Sequence, residues 1–129
     1  MDNTYNHCYF AFLDLLGFKE IVKTRTCSEI VEIFNEAKKT FFVMKSTDDK
    51  VEVPVIPPED IHYYIMSDSI CIYVKDDFKD ALPILTWICM DFQVRMLCLE
   101  TPVLVRGSIS RGEIFEKQGI MFGPAMKHI

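Results

Sequence analysis

Residues 8–16 read CYFAFLDLL, an apolar run broken by one charge, Asp14. Its length and aromatic content suit a buried central strand. An ionisable side chain inside such a strand needs compensation, because an unpaired charge in apolar surroundings is costly. Any fold for this chain must therefore bury the run and still give Asp14 a partner. Gly17 follows, and Phe18-Lys19-Glu20-Ile21-Val22 reads as a helical turn.

Ser28 is the expected N-cap of the next helix, with Glu29 and Glu32 in its first turn. Ile30, Phe34, Ala37, Phe41 and Met44 then recur at steps of four, three, four and three, an amphipathic stripe. Lys38, Lys39 and Lys45 lie late in it, where the helix dipole favours cations. Residues 46–60 are loop-like: Ser46-Thr47-Asp48-Asp49 opens them, and Pro54, Pro57 and Pro58 occupy the second half. Within them Val51-Glu52-Val53 is a candidate edge strand.

Residues 61–66 and 70–74 are short β-rich runs separated by Ser67-Asp68-Ser69, a hairpin signal with an acid at or near its tip. Asp76-Asp77 is expected to open a long helix whose apolar face is Phe78, Ala81, Leu85, Ile88, Phe92, Met96 and Leu99. Pro83 falls near its first turn, where proline is tolerated. Thr101-Pro102 stops that helix, and residues 103–110 read as another strand. Residues 113–115 and 119–122 suggest a further hairpin, and Gly123-Pro124 the start of a last helix.

The order strand, helix, strand, strand, helix, strand is that of the ferredoxin-like split β-α-β folds. The expected fold class is α+β, with helices packed on one face of a mainly antiparallel sheet. No second core flanks the 46–60 excursion, so residues 1–129 are expected to form one domain.

The formal net charge of −5 argues against general nucleic-acid binding, which needs clustered Lys and Arg. An acidic chain that binds a triphosphate needs metal ions or a cluster of N–H donors to do so. No apolar stretch approaches the roughly 20 residues that span a bilayer, and Met1-Asp2-Asn3-Thr4 begins no signal peptide. None of the five cysteines forms a C-x-x-C pair, and four lie in apolar contexts. Buried free thiols and a cytoplasmic location, without a membrane partner, are the expectation.

Asp14 ends the first strand and Asp68 sits at the hairpin, and in this topology the two elements are sheet neighbours. Two carboxylates brought together repel unless cations neutralise them. Hard oxygen ligands of this kind suit Mg²⁺ or Mn²⁺. Two such ions about 3.5–4 Å apart activate an attacking oxygen and stabilise a leaving one.

Leu15-Leu16-Gly17-Phe18 runs from strand into helix start, where exposed N–H groups favour phosphate. In Arg106-Gly107-Ser108-Ile109-Ser110-Arg111-Gly112-Glu113, two glycines in a strand region signal a bulge or a tight backbone approach. Arg106 or Arg111 is placed to hold phosphate oxygens. His7, His62 and His128 share no metal-ligand spacing.

Together these pieces resemble the catalytic domain of class III nucleotidyl cyclases. Phe12-Leu13-Asp14-Leu15-Leu16-Gly17-Phe18 resembles the first metal-binding motif, and Met66-Ser67-Asp68-Ser69 the second metal aspartate on its hairpin. The stretch from Val105 to Glu113 resembles the late strand pair, and Ile120-Met121-Phe122-Gly123-Pro124-Ala125 the turn after it. The wording S-D-S-I, R-G-S-I-S-x-G-E and F-G-P-A is most similar to bacterial pyrimidine cyclases of the Pycsar antiphage systems.

The resemblance implies conversion of UTP or CTP to a 3′,5′-cyclic monophosphate, with two divalent ions, Mg²⁺ or Mn²⁺, as cofactors. Asp14, Asp68 and the Leu15 carbonyl would hold the metals. The Leu16, Gly17 and Phe18 amides would hold the triphosphate. Purine cyclases carry a lysine where this chain has Tyr64 and a polar base reader where it has Ile120, so a pyrimidine base is implied. A head-to-tail homodimer, and a separate effector answering to the cyclic product, are implied as partners. The Asn of adenylyl cyclases falls at Lys127, and the Arg that stabilises the transition state would fall beyond position 129, so the reading expects a domain truncated at its C-terminal end. The alternative is a degenerate cyclase-homology module for nucleotide binding or dimerisation.

Overall fold

A computed structural model describes residues 3–42 and 60–126. The elements are β1 (Asn6–Leu15), α1 (Phe18–Thr24), α2 (Cys27–Phe42), β2 (His62–Met66), β3 (Ser69–Lys75), α3 (Ala81–Leu97), β4 (Val105–Lys117) and β5 (Ile120–Phe122). A 3-10 turn, Pro124–Met126, closes the described chain. The strands form one antiparallel sheet in the order β2-β3-β1-β4-β5, with the apolar first strand at its centre. This is the expected α+β architecture.

Alternation along β1 sends its two sets of side chains into two cores. Ala11, Leu13 and Leu15 face the helices and pack with Ile33 and Ala37 of α2 and with Leu85, Ile88, Phe92 and Met96 of α3. Cys8 and Phe10 face the other way and pack with Cys71, Tyr73, Ile114 and Ala125. The helices α1, α2 and α3 thus lie on one face of the sheet. The opposite face is covered only in part, by the closing 3-10 turn and the β4–β5 ribbon.

The capping residue of α2 is Thr26 rather than Ser28. The Glu29 amide donates to Thr26 Oγ1 at 3.2 Å, and the Thr26 amide donates back to Glu29 Oε1 at 3.3 Å. That reciprocal pair satisfies two otherwise orphaned donors, which Ser28 at its position does not. The buried face of α2 centres on Ile33 and Ala37, with Ile30 and Phe34 partly buried beside it. Arg95 of α3 bonds Asp91 at 2.8 Å and Glu36 at 3.4 Å, joining the two long helices.

α3 begins at Ala81, not at Asp76-Asp77. The Asp76 amide continues the strand ladder by donating to the His7 carbonyl at 3.0 Å, which holds this segment out of a helix. Pro83 is then the third helical residue, where its missing N–H has no intrahelical acceptor to lose. The expected apolar face of α3 is the buried one; Phe78 and Leu99 pack on the same core from outside the helix. β4 is one strand of 13 residues where a strand followed by a hairpin arm was expected. Pro124–Met126 is a single 3-10 turn where a helix was expected.

Cys8, Cys71 and Cys89 are buried, but Cys27 and Cys98 are exposed, and all five are free thiols. Three rather than four are therefore core residues, because Cys27 opens α2 and Cys98 caps α3 at their solvated ends. No helix among the described residues is long and apolar enough to cross a membrane. The expected edge strand Val51-Glu52-Val53, the rest of the 46–59 loop, Met44, Lys45 and Lys127 lie outside the described residues.

Candidate functional site

The site is built on the sheet face opposite the helices. In an antiparallel ladder, directly paired residues project to the same side. Asp14 pairs with Ser69 of β3 and with Arg106 of β4, and Ser69 pairs in turn with Met66 of β2. These four form one row across the sheet. The next row is Tyr64, Cys71, Phe12 and Ser108, and the one after it His62, Tyr73, Phe10 and Ser110.

The β2–β3 hairpin carries Asp68 to the end of the first row. Only Ser67 and Asp68 separate the two strands, and Ser67 takes a positive φ of 55°. Positive φ at the first turn residue marks the hairpin turns whose twist matches the strands. The Leu15 amide donates to the Asp68 carbonyl at 2.9 Å, latching the hairpin tip to the end of β1. The Ser69 hydroxyl donates to Asp68 Oδ1 at 3.4 Å. Asp14 and Asp68 are thus neighbours along the backbone ladder although 54 positions apart in sequence.

Arg106 Nε lies 3.5 Å from Asp14 Oδ2, with the arginine side chain 74% exposed and the aspartate 24% exposed. An ion pair this long and this wet contributes little to stability. It leaves the guanidinium free to turn toward an arriving anion. Beside it, Gly107 pairs with Leu13. A Cβ at Gly107 would lie 2.1 Å from the Phe12 carbonyl oxygen, so only glycine permits β4 to approach β1 this closely. That is the tight approach its position in a strand implies.

Gly17 has φ +74° and begins α1. A left-handed conformation here suits glycine because other L-residues meet their own backbone. The Leu16 amide donates to the Leu104 carbonyl at 2.9 Å. It is therefore already committed, and any phosphate contact from this turn falls to the Gly17 and Phe18 amides in the first turn of α1.

Tyr64 stands on the same face as Asp14. Its ring lies nearly parallel to that of Tyr73, with centroids 6.4 Å apart. The Tyr73 hydroxyl donates to Glu116 Oε2 at 3.3 Å. Burial, with help from Glu116, raises the pKa of both phenols. Ile120 lies elsewhere: it is 59% exposed on β5, pairs with Lys117 at the end of β4 remote from Arg106, and borders a shallow groove with Asn3, Phe115 and Gln118. The structure brings Asp14, Asp68, Leu15 and Arg106 together, sets Gly17 and Phe18 just beyond the end of β1, and keeps Ile120 apart.

Ser69 and Glu116 are the polar residues that sequence reasoning missed here. Ser69 carried a signal, since it is the residue after the hairpin acid. Glu116 carried none, because its approach to Tyr73 is a contact between strands distant in sequence.

The donor set fits a hard divalent cation. Two carboxylates and adjoining backbone carbonyls supply oxygen only, and among the described residues no group of three or more His, Cys, Asp or Glu is gathered to hold a metal. Mg²⁺ and Mn²⁺ suit such a set, because they retain waters and take substrate phosphates as further ligands.

No family model matches the sequence, and no curated protein is recognisably similar to it. Solved structures do match. The dimeric guanylyl cyclase domain of a fusion protein from the aquatic fungus Blastocladiella emersonii has a TM-score of 0.68 at 10% identity, over 96% of this chain and 71% of that one. The guanylate cyclase domain from Catenaria anguillulae, solved with GTP, has a TM-score of 0.69 at 9% identity, over 98% and 71%. The adenylyl cyclase CyaB from P. aeruginosa has a TM-score of 0.59 at 14% identity, over 99% and 71%. At these identities the likeness is one of fold, and the chain has the α+β fold of class III nucleotidyl cyclase domains.

Proposed function

We propose that this chain is a nucleotidyl cyclase domain that converts a pyrimidine nucleoside triphosphate, UTP or CTP, to its 3′,5′-cyclic monophosphate and pyrophosphate. The observation that carries the reading is the latch between Leu15 and Asp68, which sets a hairpin carboxylate beside a strand carboxylate on the open face of a cyclase-like sheet.

In the reaction the ribose 3′-oxygen bonds to the α-phosphorus, its proton leaves, and the bond from that phosphorus to the pyrophosphate oxygen breaks. Bound Mg²⁺ or Mn²⁺ would supply the charge that acidifies the hydroxyl and offsets the phosphates. Asp14, Asp68 and the Leu15 carbonyl would hold such ions, with Ser69 orienting Asp68. The Gly17 and Phe18 amides would take phosphate oxygens. Arg106, released from Asp14, would take another as a charge-assisted donor. Almost nothing covalent is asked of the protein, so positioning and electrostatics carry the rate.

Tyr64, in place of a purine-reading lysine, supports a pyrimidine by narrowing the base site. The partly covered sheet face supports a head-to-tail homodimer, in which one copy's carboxylates and the other's Tyr64 and Ile120 would share a nucleotide. The resemblance to Pycsar enzymes supports a role as an antiphage alarm signal acting on a separate effector. A second reading, a non-catalytic module, draws on the committed Leu16 amide, which removes one of the expected phosphate donors.

Incubation with Mn²⁺ and each of the four ribonucleoside triphosphates separates the two readings. A cyclic product that disappears in Asp68→Ala supports the enzyme. Absence of product from the chain in its complete reading frame, with nucleotide still bound, supports the module.

A further inference from the structure

We infer that Glu116 is the specificity-determining residue of the base site and that it selects cytosine over uracil; this rests on the cyclase reading above. Three rings stand nearly parallel on the open face of the sheet. His62 stacks on Tyr73 at 4.7 Å with an interplanar angle of 16°, and Tyr64 lies 6.4 Å from Tyr73 at 8°. Glu116 reaches them from β4, paired there with Met121, and accepts the Tyr73 hydroxyl at 3.3 Å. Tyr64 stands beside that pair, its ring nearly parallel to that of Tyr73. The Tyr73 phenol thereby holds one carboxylate on the same face as Asp14.

A carboxylate is an acceptor with about four lone-pair positions, and the one hydroxyl of Tyr73 leaves most of them free. The free positions call for a donor. Cytosine offers its exocyclic amine there, the pairing by which Glu and Asp read cytosine elsewhere. Its ring N3, next to that amine, is an acceptor. Uracil in the same place sets its O4 against the carboxylate, acceptor against acceptor, and must shift in the site to offer its N3–H instead. A site built to bond one edge rejects the analogue lacking it more strongly than shape alone does. Adenine shares cytosine's donor-acceptor edge, so the exclusion of purines falls to the bulk of Tyr64 and not to Glu116.

The test is a competition between CTP and UTP for the wild-type chain, Glu116→Gln and Glu116→Asp, with Mn²⁺ present. The wild type is expected to favour CTP by at least about tenfold in kcat/KM. Glu116→Gln, whose amide presents either a donor or an acceptor, is expected to bring the ratio near one without lowering the melting temperature. Glu116→Asp, still an acceptor only, is expected to keep the preference while losing rate. A wild type that prefers UTP, or a ratio untouched in Glu116→Gln, overturns the inference and leaves the cyclase reading standing. Absence of any cyclic product sinks the cyclase reading instead. In that case calorimetric binding of CTP and UTP decides the inference, and equal affinities overturn it.

Discussion

Arg106 and Asp14 are direct partners across the β1–β4 ladder, and the guanidinium Nε stands 3.5 Å from Oδ2 of the aspartate. The arginine is three-quarters exposed, so this contact holds the strands together only weakly. Its consequence is electrostatic: a cation occupies the place beside Asp14 that a metal ion would take. Arg106→Ala is predicted to leave stability within about 0.5 kcal/mol of wild type, while raising KM for the triphosphate by roughly tenfold through loss of a charge-assisted phosphate contact. Melting curves and initial rates check the two parts separately; a fall in stability with unchanged KM would contradict the assignment.

Asp14→Asn and Asp68→Asn each keep size while removing a charge. Each is predicted to lower Mn²⁺-dependent cyclisation by at least about 100-fold, the scale lost when a charge-stabilising group is removed from a reacting centre. The Leu15 amide bonds the Asp68 backbone carbonyl, not its side chain, so Asp68→Asn should melt near the wild-type temperature. Circular dichroism beside the activity assay distinguishes lost chemistry from lost fold.

Gly107→Ala is predicted to destabilise the protein by about 2–4 kcal/mol, because its Cβ would sit 2.1 Å from the Phe12 carbonyl oxygen and the backbone would have to yield. The strain falls one residue from Arg106, so activity should fall along with stability. Urea unfolding gives the first quantity. A variant as stable as wild type would contradict so close an approach of β4 to β1.

Cys8 and Cys89 link stability to alkaline pH. Burial pushes each thiol from 9.0 up to about 11. The unfolded thiols ionise first, so the unfolded state holds fewer protons and stability falls with rising pH. The contribution is complete below about pH 9 and is lost as pH rises through about 11. Two pKa units correspond to roughly 2–3 kcal/mol per thiol. Cys89→Ala should flatten the decline of melting temperature between these limits; an unaltered slope would remove Cys89 as its source.

Much of this molecule was legible because its period-2 and period-3.6 patterns were clean. The CYFAFLDLL run became the central strand, and the stripe from Ala81 to Met96 became the buried face of α3. The acid at the hairpin also fell where turn chemistry placed it. The helix starts did not. Thr26 outcompeted Ser28 through a reciprocal side-chain bond, and Asp76 was drawn into the ladder by the His7 carbonyl. Both depend on partners that a linear reading ranks equally with their neighbours. The committed Leu16 amide and the placement of Glu116 were illegible for a different reason, since each is set by a long-range contact, with Leu104 and Tyr73 respectively.

β1 is hydrogen-bonded along both edges, to β3 on one side and to β4 on the other. Its amide hydrogens should be among the last in the molecule to exchange with deuterated solvent, since they open only when the sheet itself comes apart. Asp14 therefore rides on a strand held from both sides, while Asp68 rides on a two-residue bend. Ligation by both would tether the looser carboxylate to the stiffer one, and slowed exchange at Ser67 and Asp68 on adding Mn²⁺ would record that tightening without any turnover.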